Sequence, residues 1–228
     1  MATEDLITQR LYVAFTHGVI TKDRCICLIV FPKSTEINKP MPKEAFYRNL
    51  ALSTGIKEKF VSDIKRITLL NKLAPSTFHV TKGKQLGEIL VLSVELKKQD
   101  LDYKTIETIA RKNKHKILFI IKFEESVQLA IFHNKLYKNH WRQVANQNLA
   151  VTGMNLDEVW KNFVAQISGI EIGLDEDLDE KIEKHEQTER LKKEIARLEK
   201  LAQNEKTPKK KFELVMEIQN LRKEQASD

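Results

Sequence analysis

Residues 88–97 read EILVLSVELK. Every even position from Leu90 to Leu96 is apolar, while the odd positions Ile89, Val91, Ser93, Glu95 and Lys97 turn polar toward the end. That is the period of a strand with one face buried almost throughout and the other only at its start. Next, Asp100 or Asp102 can cap a helix over about 103–112, with Ile106, Ile109 and Ala110 facing inward. A second apolar run follows at 116–123. Strand, helix and strand in close succession form a crossover, which makes the two strands parallel neighbours. This constrains the fold more than any other feature: the chain builds a mixed sheet covered by helices.

The flanking segments fill in that plan. Residues 116–123 and 127–132 form a hairpin around Glu124-Glu125-Ser126, and 140–144 a further strand. Asn155 caps a helix to about Ile167, with Glu158 at the capping-box position. Leu156, Val159, Trp160, Phe163 and Ile167 form its stripe. Upstream, Lys39-Pro40-Met41-Pro42 reads as a loop. A helix follows over 43–53, with Phe46, Leu50 and Leu52 in the core, and Gly55 ends it. Phe60, Ile64, Ile67 and Leu70 recur at spacings of four, three and three, which predicts a longer helix over 57–73. Pro75 forces the exit. Residues 76–80 read as a short strand and 82–84 as a turn. The first 30 residues read as an extension, with a short helix over 4–15 and a strand over 24–30. The expected class is a mixed α/β, or α+β, layered domain, with a restriction-endonuclease-like core as one form of it.

The C-terminal region is different in kind. From about Asp177 to Gln203 it is dominated by charge, yet Leu178, Ile182, Leu191, Ile195 and Leu198 keep a helical period. Residues 204–208 break it, with Thr207 as cap and Pro208 at the first position of another helix. That helix carries Phe212, Val215, Ile218 and Leu221 on one side. Two helices joined by a short loop predict an antiparallel coiled-coil hairpin. The expected organisation is therefore an extension over 1–30, a mixed α/β domain over 31–172 and a charged helical hairpin over 173–228.

Composition excludes several classes. No apolar run approaches the roughly 20 residues of a membrane span. Leu6 to Ile20 lacks the basic flank and small-residue cleavage site of a signal peptide, so a cytoplasmic location is expected. Cys25 and Cys27 are the only cysteines and read as small buried strand residues. Six scattered histidines give no zinc-ligand spacing, and no metal site is expected from them. Dinucleotide, Walker and nucleophile-elbow motifs are absent. The formal charge of +7 tilts the chain toward acidic partners without identifying one.

Two constellations carry chemistry. Glu95-Leu96-Lys97 at a strand end, followed by a helix, is similar to the second half of the PD-(D/E)xK nuclease motif. That chemistry needs two carboxylates on a divalent ion such as Mg²⁺, and a lysine that orients the attacking water. The first half of the motif is missing. Glu88 lies seven positions before Glu95, which on a regular strand is the opposite face. Asp63 lies on the preceding helix. The reading of Glu95 and Lys97 as surface residues stands beside the catalytic one. The second constellation is HNKLYKNHWR, 133–142, where Lys135, Lys138 and Arg142 can contact phosphates and Tyr137 and Trp141 can stack on bases. Its plainer reading is a polar hairpin loop whose Trp packs into the core.

The segments PKSTEINKPMPKEAFY (32–47), FVSDIKRITLLNKLAPST (60–77), EILVLSVELKKQ (88–99), HKILFIIKF (115–123) and NLDEVWKNFVAQI (155–167), with the charged tail, resemble a bacterial and archaeal family, domain-of-unknown-function family 4391. The resemblance implies a role near DNA, because such chains sit beside genes for helicases and DNA methyltransferases in clusters of restriction or anti-phage type. The leading expectation is a non-catalytic accessory subunit. It would contact a helicase, a methyltransferase or a second copy through the hairpin, and DNA as a further partner, without a membrane. The alternative is a Mg²⁺-dependent deoxyribonuclease using Glu95 and Lys97 with Glu88 or Asp63. A third is a structural oligomeriser without DNA contact.

Overall fold

The computed structural model describes Ile29, residues 31–50, 53–171, Gly173 and 177–227. The expected helix over 4–15, nearly all of the strand over 24–30 and both cysteines lie outside the described residues. Contacts separate the chain into two units, 1–169 and 170–228.

The first unit is a mixed α/β layer structure. Among the described residues its sheet has seven strands: β1 (Glu36–Met41), β2 (Ile64–Leu73), β3 (Ile89–Leu96), β4 (Lys116–Phe123), β5 (Ser126–His133), β6 (Lys135–Lys138) and β7 (Arg142–Gln143). The order is β1-β2-β3-β4-β5-β6, with β7 also on β5. Among the described strands only β3 and β4 pair in parallel, and the helix α3 (Tyr103–Lys112) connects them as the crossover requires. Asp102 caps that helix by accepting from the Lys104 N–H at 3.1 Å. The helices α1 (Lys43–Leu50), α2 (Thr54–Asp63) and α3 bury one sheet face. There Phe46, Phe60, Ile64, Ile67, Val94, Ile106 and Phe119 form a continuous core. The helix α4 (Leu156–Ser168) packs on β5 and β6 and buries Val159, Trp160, Phe163 and Ile167. Asn155 caps it by accepting from the Glu158 N–H at 3.0 Å, and Glu158 reaches back to the Met154 N–H at 2.8 Å.

The structure corrects the reading of 57–73. The helix α2 stops at Asp63, and Ile64–Leu73 is the strand β2. Its register slips between Ile64 and Arg66 and again between Leu69 and Asn71. A bulge inserts an extra residue, so Ile64 and Ile67 both reach the helix-covered face although three positions apart. A twice-bulged strand thus imitates helical spacing. The loop expected over Lys39–Pro42 is largely strand as well. Among the described residues the strand β1 pairs only with β2, an edge position where a proline such as Pro40 is tolerated. Gly55 lies inside the first turn of α2 instead of ending α1. The strand expected over 76–80 is a turn and bend. Only Arg142–Gln143 of 140–144 is strand, and the loop expected over 133–142 contains β6.

The second unit is a helical hairpin, α5 (Leu178–Asn204) and α6 (Pro208–Ser227). Asp177 caps α5, accepting from the N–H groups of Asp179 and Glu180. Ile195, Leu198, Ala202 and Ile218 form its core with Leu214 and Leu221. Arg222 bridges to Glu199 across the pair at 2.6 Å. Phe212 and Val215 do not join this stripe: both are exposed, and Leu214 takes the inward position.

A candidate site where β2 meets the end of β3

The bulge at the start of β2 has a chemical consequence. On a regular strand, successive side chains point to opposite faces. Here Lys65 and Arg66 both reach the carboxylate of Glu95 on β3. Lys65 Nζ donates to Oε1 at 2.6 Å, and Arg66 donates to Oε2 from Nε at 3.1 Å and from Nη2 at 2.8 Å. The hydrogen bonds from Lys65 and then Arg66 outweigh partial burial and hold the Glu95 carboxyl below its ordinary range.

Lys97 is engaged elsewhere. Its ammonium donates to the Val61 carbonyl in the last turn of α2 at 2.8 Å, and its N–H to the Asp63 carbonyl at 2.8 Å. Lys43 Nζ donates to the Ile64 carbonyl at 2.5 Å. Lys97 thus satisfies two carbonyls that the end of α2 leaves without helical partners, and Lys43 the carbonyl at which β2 begins. Partial burial and the charge of Lys97 push the Lys43 ammonium below its usual value.

Asp63 joins this edge through its backbone, but its side chain, 1% exposed as a residue, turns away. Its carboxylate accepts from Ser62 Oγ at 2.6 Å and from the Asp102 N–H at 3.4 Å, with Lys98 Nζ 3.4 Å away. Burial would raise its pKa, but the Ser62 hydroxyl, the Asp102 amide and Lys98 together leave it lowered. Asp63 and Glu95 share none of these partners. Glu88 precedes β3 at its other end, roughly 23 Å of strand from Glu95 at about 3.3 Å per residue. It pairs there with Lys72 and with His115 Nδ1 at 3.0 Å. The structure therefore brings Glu95 and Lys97 onto one edge and leaves Glu88 apart. Among the described residues no group of three or more His, Cys, Asp or Glu is placed to hold a metal.

The basic–aromatic stretch does not gather into one surface. Lys135 pairs opposite His133 and Lys138 opposite Ala130, an odd separation that sends them to opposite faces of the sheet. Lys135 lies 5.0 Å from the Tyr137 ring centroid and Lys138 3.4 Å from that of Tyr103. Trp141 is half-buried and packs on the helix-covered core. Arg142 is exposed on β7. Trp141 thus spends part of its ring on the core, as the plainer reading of the stretch expected.

The residues that sequence reading missed are Lys43, Lys65 and Arg66. The signal was the Lys-Arg pair immediately after Asp63-Ile64, but read within a helix it carries no cross-strand meaning.

A family model described as a domain of unknown function, DUF4391, matches residues 29–224, and the chain belongs to that family. No curated protein and no solved structure matches the chain. Among the described residues no helix is long and apolar enough to cross a membrane.

Proposed function

We propose that this family member is a non-catalytic accessory subunit of a DNA-restriction or anti-phage system, docking on a protein partner through its C-terminal hairpin. The observation that carries the reading is the outer side of α6. Phe212 is 66% exposed, and Val215 and Met216 are exposed beside it at helical spacing, although the hairpin has its own core on the opposite side. Such i, i+3, i+4 anchors are what a helix presents to a groove or to another helix. The resemblance noted above supplies the class of partner, a helicase or DNA methyltransferase. The test is co-elution of the full chain with the helicase or methyltransferase encoded beside it. A complex is expected with the wild type and not with Phe212→Glu/Met216→Glu. A double variant that still co-elutes overturns docking by this face.

A second reading, a metal-dependent nuclease, is favoured by the order α2, β2, β3 ending in Glu95-Leu96-Lys97, α3 and the parallel β4. Against it stands the occupancy of Glu95. A divalent ion taking oxygen ligands there has to displace Lys65 and Arg66. The two readings separate in a cleavage assay with Mg²⁺ or Mn²⁺.

A further inference from the structure

A concavity of about 400 Å³ lies where β1 ends and β2 begins. Lys43, Lys65 and Arg66 line it, Met41 and Ile67 pair across it, and its lining carries no carboxylate among the described residues. The cations continue along the sheet. Lys122 on β4 stands opposite Glu95 on β3, and Glu95 stands opposite Arg66 on β2. With neighbouring strands about 4.8 Å apart, this level of the sheet crosses four strands in roughly 14 Å.

Cations on β2 and β4 and at Lys43 just after β1, with Glu95 between them on β3, suit a ligand whose negative charge repeats along its length better than one small anion. A phosphodiester chain carries such charges at about 3.4 Å of rise per strand. The donors needed are present. The Lys65 and Arg66 side chains are 61% and 63% exposed. Arg66 gives Glu95 only its Nε and Nη2, which leaves the Nη1 donors of its fork. Lys43 spends one of three donors on the Ile64 carbonyl.

We propose that this edge binds the phosphodiester backbone of a nucleic acid through Lys43, Lys65 and Arg66, with Glu95 competing for the last two. This surface shares no residue with the hairpin face, so it stands or falls independently of partner docking.

The test is fluorescence anisotropy of labelled duplex and single-stranded oligonucleotides with the full-length chain, titrated with salt. In Lys65→Gln/Arg66→Gln, the slope of log affinity against log salt is expected to fall by about 1.8 on duplex, two contacts at about 0.9 each. Glu95→Gln is expected to bind at least as tightly as the wild type, because a competing anion is gone. A merely structural role for the cluster predicts that both variants weaken together, and that result overturns the proposal. So does an unchanged slope in the double variant, or a slope that falls only in Lys135→Gln/Arg142→Gln. Inorganic phosphate at matched ionic strength should not displace the oligonucleotide. Displacement by millimolar phosphate identifies a single-anion site and sinks the polyanion reading, as does equal affinity for polyglutamate. Urea denaturation of each variant keeps misfolding from imitating a lost contact.

Discussion

Arg66 and Glu95 stand opposite each other across β2 and β3, and both Nε and Nη2 of the guanidinium donate to the same carboxylate oxygen. The second oxygen belongs to Lys65. A carboxylate so occupied joins two strands and fixes the direction of two exposed cations. Partly exposed ion pairs contribute little stability, at most about 1 kcal/mol. Glu95→Gln should therefore cost no more than that in urea denaturation at neutral pH. A loss of about 3 kcal/mol or more would mean that the cluster is buried by something else.

Asp63 should matter more. Its side chain is almost fully buried and holds the Asp102 amide at the start of α3. Asp63→Ala takes that acceptor from the Asp102 amide and leaves Lys98 only Asp100, a cost on the order of 1–3 kcal/mol. The pH dependence has a definite sign. The folded-state pKa is lowered, so the stabilisation is complete above the ordinary Asp value of about 3.9 and is lost as pH falls through the folded value. Unfolding of wild type and Asp63→Asn should differ most near neutral pH and converge in acid. A gap that widens on acidification contradicts the assignment.

Gly83 and Asp157 form a lock between the 81–87 connection and α4. The Asp157 carboxylate accepts from the N–H groups of Gln85 at 3.2 Å and Leu86 at 2.9 Å. A Cβ on Gly83 would lie 2.2 Å from its Oδ1. Gly83→Ala must push Asp157 off both amides and should destabilise by about 1–2 kcal/mol. Because the two changes remove the same bonds, Gly83→Ala/Asp157→Ala should cost clearly less than the sum of the singles. Simple additivity in that cycle refutes the lock.

On the hairpin, inward and outward residues should behave oppositely. Ile218→Ala, in the core with Ile195 and Leu198, should cost about 2–4 kcal/mol and accelerate amide exchange along α5 and α6. Phe212→Ala should change that exchange little, within about 0.5 kcal/mol. Equal effects of the two would remove the distinction on which docking rests.

The elements legible in the sequence were those with an uninterrupted period. The alternation of β3, the apolar run of β4 and the stripes of α3 and α4 each follow one repeat, and each contact they imply is local or nearest-neighbour. The strand β2 escaped because the bulge between Ile64 and Arg66 brings Ile64 and Ile67 onto one face. The strand β1 escaped because Pro40 and Pro42 read as loop punctuation, which only a sheet edge tolerates. The site suffered from the same misreading. Glu95 and Lys97 were visible as a spacing on one strand. What surrounds Glu95 depends on the register of β2, and no local pattern encodes that register. The outward turn of Phe212 was likewise decided by which face of α6 meets α5.

With its carboxylate held by Lys65 and Arg66, Glu95 is proposed to serve structure and binding, not chemistry. The most direct measurement incubates the full-length chain with duplex and single-stranded DNA in Mg²⁺ or Mn²⁺, beside Glu95→Ala. No cleavage above background is expected of either protein in either metal. Metal-dependent cleavage by the wild type that disappears in Glu95→Ala would contradict that role.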